Sequence, residues 1–197
     1  TIAPTNNKVL RQYFGVYRNE MALAKLTAAY ELDKTDVNKA ILVSEAMLSL
    51  GQLKQAESLL VSIAETEKLP KRYWQLLLLT YKKQNNAEKI RPTLEKWLKD
   101  NPYHIEAVVL LTDFYASQRN YERALTVIKR GLENHHDNLV LQLIQMQLLL
   151  NSKQISPAKS LYKILASKDI NDALKEGLLG RIFLLEEIYV QALPKLT

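Results

Sequence analysis

The stretch IEAVVLLTDFYASQRNYERALTVIKRGLENHHDN, Ile105–Asn138, reads as two amphipathic helices with a break between them. Val108, Leu111 and Tyr115 recur at three- and four-residue spacing, and Ala124, Ile128 and Leu132 resume the pattern beyond Arg119-Asn120. Neither helix can bury such a stripe alone, so the pair must close on itself and on a neighbouring pair. The stretch is 34 residues long, and the same step organises the chain. Ala22, Ala56, Ile90, Ala124, Ala158 and Ala192 stand 34 apart without an insertion or deletion. So do Tyr13, Met47, Tyr81, Tyr115, Leu149 and Phe183, and likewise Leu26, Leu60, Leu94, Ile128, Tyr162 and Leu196. A fixed period of this length marks one supersecondary unit stacked repeatedly. The small column lets two helices approach closely where they cross, and a leucine there would overpack by about 1–3 kcal/mol.

Working outward, the punctuation falls where helix pairs need it. Gly51-Gln52, Asn85-Asn86, Arg119-Asn120 and Asn151-Ser152 divide the two helices of a unit. Asp33-Lys34-Thr35-Asp36, Lys68-Leu69-Pro70, Asp100-Asn101-Pro102 and His135-His136-Asp137-Asn138 divide one unit from the next. Pro70 suits the first turn of a helix and Pro102 ends the one before it. The expected helices are 6–16, 19–32, 37–49, 52–65, 71–84, 87–100, 104–117, 120–134, 138–150, 154–167, 172–185 and 188–196. They group into one array of units at about 3–36, 37–70, 71–104, 105–138, 139–172 and a truncated 173–197.

Composition agrees. Glycine and proline number only 5 and 6 in 197 residues, and strand-like alternation of β-branched residues is missing. The absence of cysteine excludes disulfides and thiolate metal sites. No apolar run reaches the ~18 residues of a membrane span. The chain starts at Thr1 and stops within a unit, which reads as a piece of a longer protein. Both ends are then unfinished, so the last ten residues are expected to fray or to find cover by self-association.

These columns resemble the tetratricopeptide repeat over essentially the whole chain. The matching residues are Pro102, Val108, Leu111, Tyr115, Tyr121, Ala124 and Ile128 in one unit, Leu179, Gly180, Phe183, Tyr189 and Ala192 in another, and Trp74, Leu77 and Tyr81 in a third. The pentatricopeptide step of 35 would show drift by Ala192, and none is visible. The resemblance implies an all-α fold, a right-handed superhelical solenoid of antiparallel helix pairs, whose first helices line an inner face that holds a protein or peptide partner. The Leu/Lys/Asn-rich texture also resembles bacterial tetratricopeptide proteins of exopolysaccharide and exosortase-associated export. That likeness implies a scaffold at the cell envelope or in the periplasm.

The third unit departs from the pattern. Leu78 and Trp97 stand where small residues are usual, Ile90 sits in the alanine column, and Pro92 falls inside the second helix. A proline there forfeits a hydrogen bond and clashes with the preceding turn. Local repacking, a kinked or late-starting helix and a bend of the array are expected at this unit.

The inner-face columns read Asn7, Ile41, Gln75, Val109, Leu143, Gly177 and Arg11, Glu45, Leu79, Asp113, Gln147, Arg181. They lack the Lys–Asn pairing that family members use to clamp a peptide carboxylate. The candidate groove is Ile41, Glu45, Leu48, Gln75, Leu79, Lys82, Val109, Asp113, Leu143, Gln147 and Leu150, with Leu184 nearby. Two readings stand for its apolar members: a binding surface, or contacts with the neighbouring helix.

Net charge is +6, and most of the excess lies in the third unit. The basic patch Lys71, Arg72, Lys82, Lys83, Lys89 and Arg91, with Lys96 and Lys99, reads either as a dock for a polyanion or as cations that complement helix dipoles. A uniform basic stripe is missing, so nucleic acid is not the expected partner. His104, His135 and His136 lack further ligands to complete a metal site. Glu186 and Glu187 are helix neighbours that face apart, and the glycines form no phosphate loop; Gly177 and Gly180 are expected at close helix contacts. The expectation is a non-enzymatic scaffold without cofactor.

Overall fold

A computed structural model describes residues 6–16, 20–65 and 68–192, with the side chains of Val16 and 188–192 left aside. Among the described residues every regular element is an α-helix. The chain forms two compact units, Thr1–Asp100 and Asn101–Thr197. The first contains α1 (Asn7–Val16), α2 (Glu20–Glu31), α3 (Val37–Ser49), α4 (Leu53–Ser62), α5 (Lys71–Lys83) and α6 (Ala87–Asp100). The second contains α7 (Ile105–Ser117), α8 (Tyr121–Asn134), α9 (Leu139–Asn151), α10 (Ile155–Ala166) and α11 (Asp172–Ala192). In the first unit α1 packs on α2, α3 on α4 and α5 on α6, while α3 also packs on α1 and α5. In the second, α7 packs on α8 and α9 on α10, with α8 against α9 and α10 against α11.

The hairpin turns repeat atom for atom. Gly51, Asn85, Arg119 and Lys153, each 34 residues after the last, have φ of 78°, 55°, 58° and 57°; Lys68, between two helix pairs, is left-handed as well. Just beyond them the N–H groups of Gln52, Asn86, Asn120 and Gln154 reach back to the carbonyls of Met47, Tyr81, Tyr115 and Leu149 at 2.8–2.9 Å. This left-handed cap satisfies carbonyls that a helix end would leave bare. The next helix begins at once, and Asn120 caps it by accepting from the Arg123 N–H. Asp36 and Asn138 cap α3 and α9 in the same way.

The core follows the columns. Ala22, Ala56, Ala124 and Ala158 are wholly buried. At the open end of the α5–α6 hairpin, Trp97 stacks on Trp74 with ring centroids 6.1 Å apart and planes 8° from parallel. One unit later the equivalent pair is Val108 and Gly131, where a Cβ on the glycine would lie 2.6 Å from Val108 Cγ1. Gly131 therefore makes the close approach expected of Gly177 and Gly180, which have no atom within 4 Å of an added Cβ.

Two further expectations fail. α6 does not start late: Ala87 is in step with Leu53, Tyr121 and Ile155, and the helix runs uninterrupted through Pro92. The buried Leu94 and Trp97 hold it in place and outweigh one lost hydrogen bond. The expected helices 172–185 and 188–196 are also not separate, because α11 continues from Asp172 to Ala192. Glu187-Ile188 stands where other units place a left-handed residue followed by Gln or Asn. Leu193, Pro194 and Leu196 lie outside the described residues.

Candidate functional site

The first helices of each unit carry the groove residues, and the structure divides them. In the first unit Ile41 and Leu48 are buried in the core, where they are unavailable to a partner. Leu150 of the second unit is buried as well. The column assigns each of them a side of its helix, but packing against adjacent helices closes that side. Leu79 is exposed, Lys82 is exposed and Gln75 is half-buried. Glu45 forms an ion pair with Arg72, which joins one candidate groove residue to one candidate basic residue.

In the second unit the residues converge. A cleft of about 460 Å³ opens between α7 and α9. Val109, Leu110, Ile144 and Leu148 form its apolar wall, and Thr112, Asp113, Gln147 and Asn151 its polar side. Gln147 donates to Asn151 Oδ1 at 2.8 Å. Arg181 on α11 donates to Gln147 Oε1 at 2.7 Å and to Asn151 Oδ1 at 3.4 Å. This chain fixes the polar rim in one arrangement. Asp113 takes no part in it; among the described residues no cation pairs with its exposed carboxylate. Thr112 Oγ1 is buried beneath it without a hydrogen-bond partner. Leu143 is half-buried outside the cleft. Leu110, Thr112, Ile144, Leu148 and Asn151 are among the cleft residues that sequence reasoning missed. They neighbour the inner-face columns without belonging to them, so no column signal singles them out.

The basic patch is largely tied down. Arg72 meets Glu45, Lys89 meets Glu57, and Arg91 lies 3.5 Å from Glu95. Lys96 lies 3.8 Å from Glu65. The Lys89 hydrogen bond, with help from Gln84, holds the Glu57 carboxyl below its ordinary value, and Glu57 in turn raises Lys89. Lys82 and Lys83 occupy the last turn of α5, where the helix dipole favours a cation. Lys71 is exposed. Of the histidines, His135 Nε2 lies 2.8 Å from the Tyr103 carbonyl and His136 lies 3.1 Å from Asp137. Among the described residues no three potential ligands gather, and no helix is long and apolar enough to cross a membrane.

No protein-family model matches the chain, and no curated protein matches it. Solved structures do. A tetratricopeptide repeat protein from Parabacteroides merdae is 15% identical with a TM-score of 0.64, covering 95% of this chain and 76% of that one. MamA of strain AMB-1 is 18% identical with a TM-score of 0.57, covering 85% and 94%. PilF of Pseudomonas aeruginosa is 16% identical with a TM-score of 0.57, covering 82% and 76%. The chain has the all-helical fold of the tetratricopeptide repeat proteins, and at these identities the likeness is one of fold.

Proposed function

We propose that this tetratricopeptide-fold chain is a protein-interaction scaffold that holds a helix or extended segment of a partner on the first-helix face of its second unit. The observation that carries this reading is the α7–α9 cleft, where an aliphatic wall faces a pre-ordered polar rim and an unpaired carboxylate. An apolar anchor side chain of the partner enters between Val109 and Ile144, and a Lys or Arg beside it meets Asp113. Burial supplies affinity, and the carboxylate sets register and selects against acidic segments. Catalysis has no part in this role. Its setting is a bacterial envelope or export assembly, on the texture that the sequence shares with such scaffolds.

Site-specific photo-crosslinking in the source cells tests it. A photoreactive residue at Gln147 should capture a discrete protein, whereas one at Glu133, exposed on α8, should not. Asp113→Lys should abolish the Gln147 adduct while helicity is retained. Equal labelling from both sites, or an adduct indifferent to Asp113→Lys, refutes the reading. Polyanion docking through the third unit would instead show as binding that falls steeply with salt and ignores Asp113. The pairing of Arg72, Lys89 and Arg91 with acidic neighbours weighs against it.

A further inference from the structure

Both side-chain oxygens on the α9 rim of the cleft are already engaged. Gln147 Oε1 accepts from Arg181, and Asn151 Oδ1 accepts from Gln147 and from Arg181. These bonds fix which way each amide is turned. What the rim has left to offer is N–H groups: those of the Asn151 amide, the second one of Gln147, and the guanidinium N–H groups outside the two bonds. The rim therefore donates and has no free carboxylate or amide oxygen on these residues, and Arg181 gives it a positive charge. Arg181 is exposed, and among the described residues no carboxylate pairs with it.

Asp113 on α7 is the opposite case, an exposed group that only accepts. Asp113, Gln147 and Arg181 stand 34 residues apart in one column, so an anion, ordered amides and a cation follow one another along the first-helix face of the second unit. In the first unit the comparable charges are paired with each other: Glu45 of the same column meets Arg72, and Glu57 meets Lys89. Arg181 also differs from an ordinary surface cation. A mobile side chain loses rotamer freedom when it takes a partner, which is why exposed ion pairs contribute little. Arg181 is held by Gln147 and Asn151 beforehand, and a guanidinium fork matches a carboxylate with two parallel bonds.

We infer that the docked protein segment carries an acidic side chain, which binds the Gln147–Asn151–Arg181 rim while a basic residue of the same segment meets Asp113. This rests on the cleft being the docking site. The two walls assign the charges: Asp113 repels a carboxylate on the α7 side, and Arg181 repels a cation on the α9–α11 side. A lysine or hydroxyl donor arriving at the rim would compete with Arg181 for the same oxygens, whereas a carboxylate uses the N–H groups that are free. An apolar anchor over Val109 and Ile144 ties both charged residues to one segment. A segment with two basic residues, or with two acidic ones, meets repulsion at one wall. The cleft thus selects a pattern, basic and acidic on opposite sides of an apolar residue, rather than a net charge.

Panning a random linear peptide library on phage against the purified 197-residue chain tests this. The selected sequence is then titrated as a synthetic peptide amidated at its C-terminus, so that its only carboxylates are side chains. Selected segments should hold an apolar, a basic and an acidic residue together. Arg181→Met, with helicity retained, should weaken the peptide about fivefold. It should leave unchanged the binding of a second peptide whose acidic residue is replaced by the corresponding amide. Asp113→Asn should weaken both peptides by the same factor. Selected segments without an acidic residue overturn the inference and leave the cleft reading standing. So does an Arg181→Met loss that is absent, or equal for the two peptides. No selection at all, or segments that bind an Ile144→Lys variant as well as the wild type, overturns both.

Discussion

Replacing Gly131 by alanine isolates the closest helix contact in the second unit. The added Cβ would lie 2.6 Å from Val108 Cγ1, 3.2 Å from Cγ2 and 3.4 Å from Cβ. Carbon atoms at rest sit about 3.5–4.0 Å apart. Val108 is 2% exposed and cannot swing into solvent; a valine in a helix also holds one rotamer in about nine cases of ten. Overpacking should cost about 1–3 kcal/mol, and alanine returns about 1 kcal/mol of helix propensity over glycine. The net destabilisation is about 0–2 kcal/mol. In a Val108→Ala background the two offending methyl groups are gone and the remaining contact is ordinary. The same Gly131→Ala change should then stabilise by about 1 kcal/mol. Urea unfolding followed by far-UV circular dichroism on the four members of this cycle measures the coupling, expected at about 1–3 kcal/mol. If Gly131→Ala has the same effect in both backgrounds, within about 0.5 kcal/mol, the close approach is wrong.

Three other outcomes are expected. Trp97→Ala should cost about 3–5 kcal/mol by leaving a cavity beside Trp74, and the wild-type tryptophan emission, from two buried indoles, should shift to the red only on unfolding. Ala124→Leu and Ala158→Leu should each destabilise by about 1–3 kcal/mol, while Lys129→Leu on the exposed side of α8 does much less in the same urea assay. Glu57 has a folded-state pKa held below the ordinary 4.5, so its contribution is present above that value and lost as pH falls through the lower folded one. The stability difference between wild type and Glu57→Gln should therefore shrink on acidification below about pH 4.5 in thermal melts.

The step of 34 made most of the helices legible because four successive units repeat their breaks as well as their core. First helices begin at Val37, Lys71, Ile105 and Leu139 and second helices at Leu53, Ala87, Tyr121 and Ile155, each series in register. A column gives the side of a helix on which a residue lies, but not the distance to the next helix. That is why Ile41, Leu48 and Leu150 read as groove candidates and lie buried, while Val109, Asp113 and Gln147 line a cleft. The close contact expected at Gly177 and Gly180 lies instead at Gly131. Comparing the opposed columns Trp74–Trp97 and Val108–Gly131 for size would have pointed to Gly131. Ile188 is an aliphatic residue where the four hairpins before it have the amides Gln52, Asn86, Asn120 and Gln154.

One hairpin register is laid down four times and abandoned at Glu187. Backbone carbon and nitrogen chemical shifts, assigned over the chain in solution, read it residue by residue. Helical shifts should be interrupted by left-handed values at Gly51, Asn85, Arg119 and Lys153 and should run unbroken from Asp172 through Ala192. A left-handed or extended value at Glu187, or uninterrupted helix at any of the other four, would contradict it.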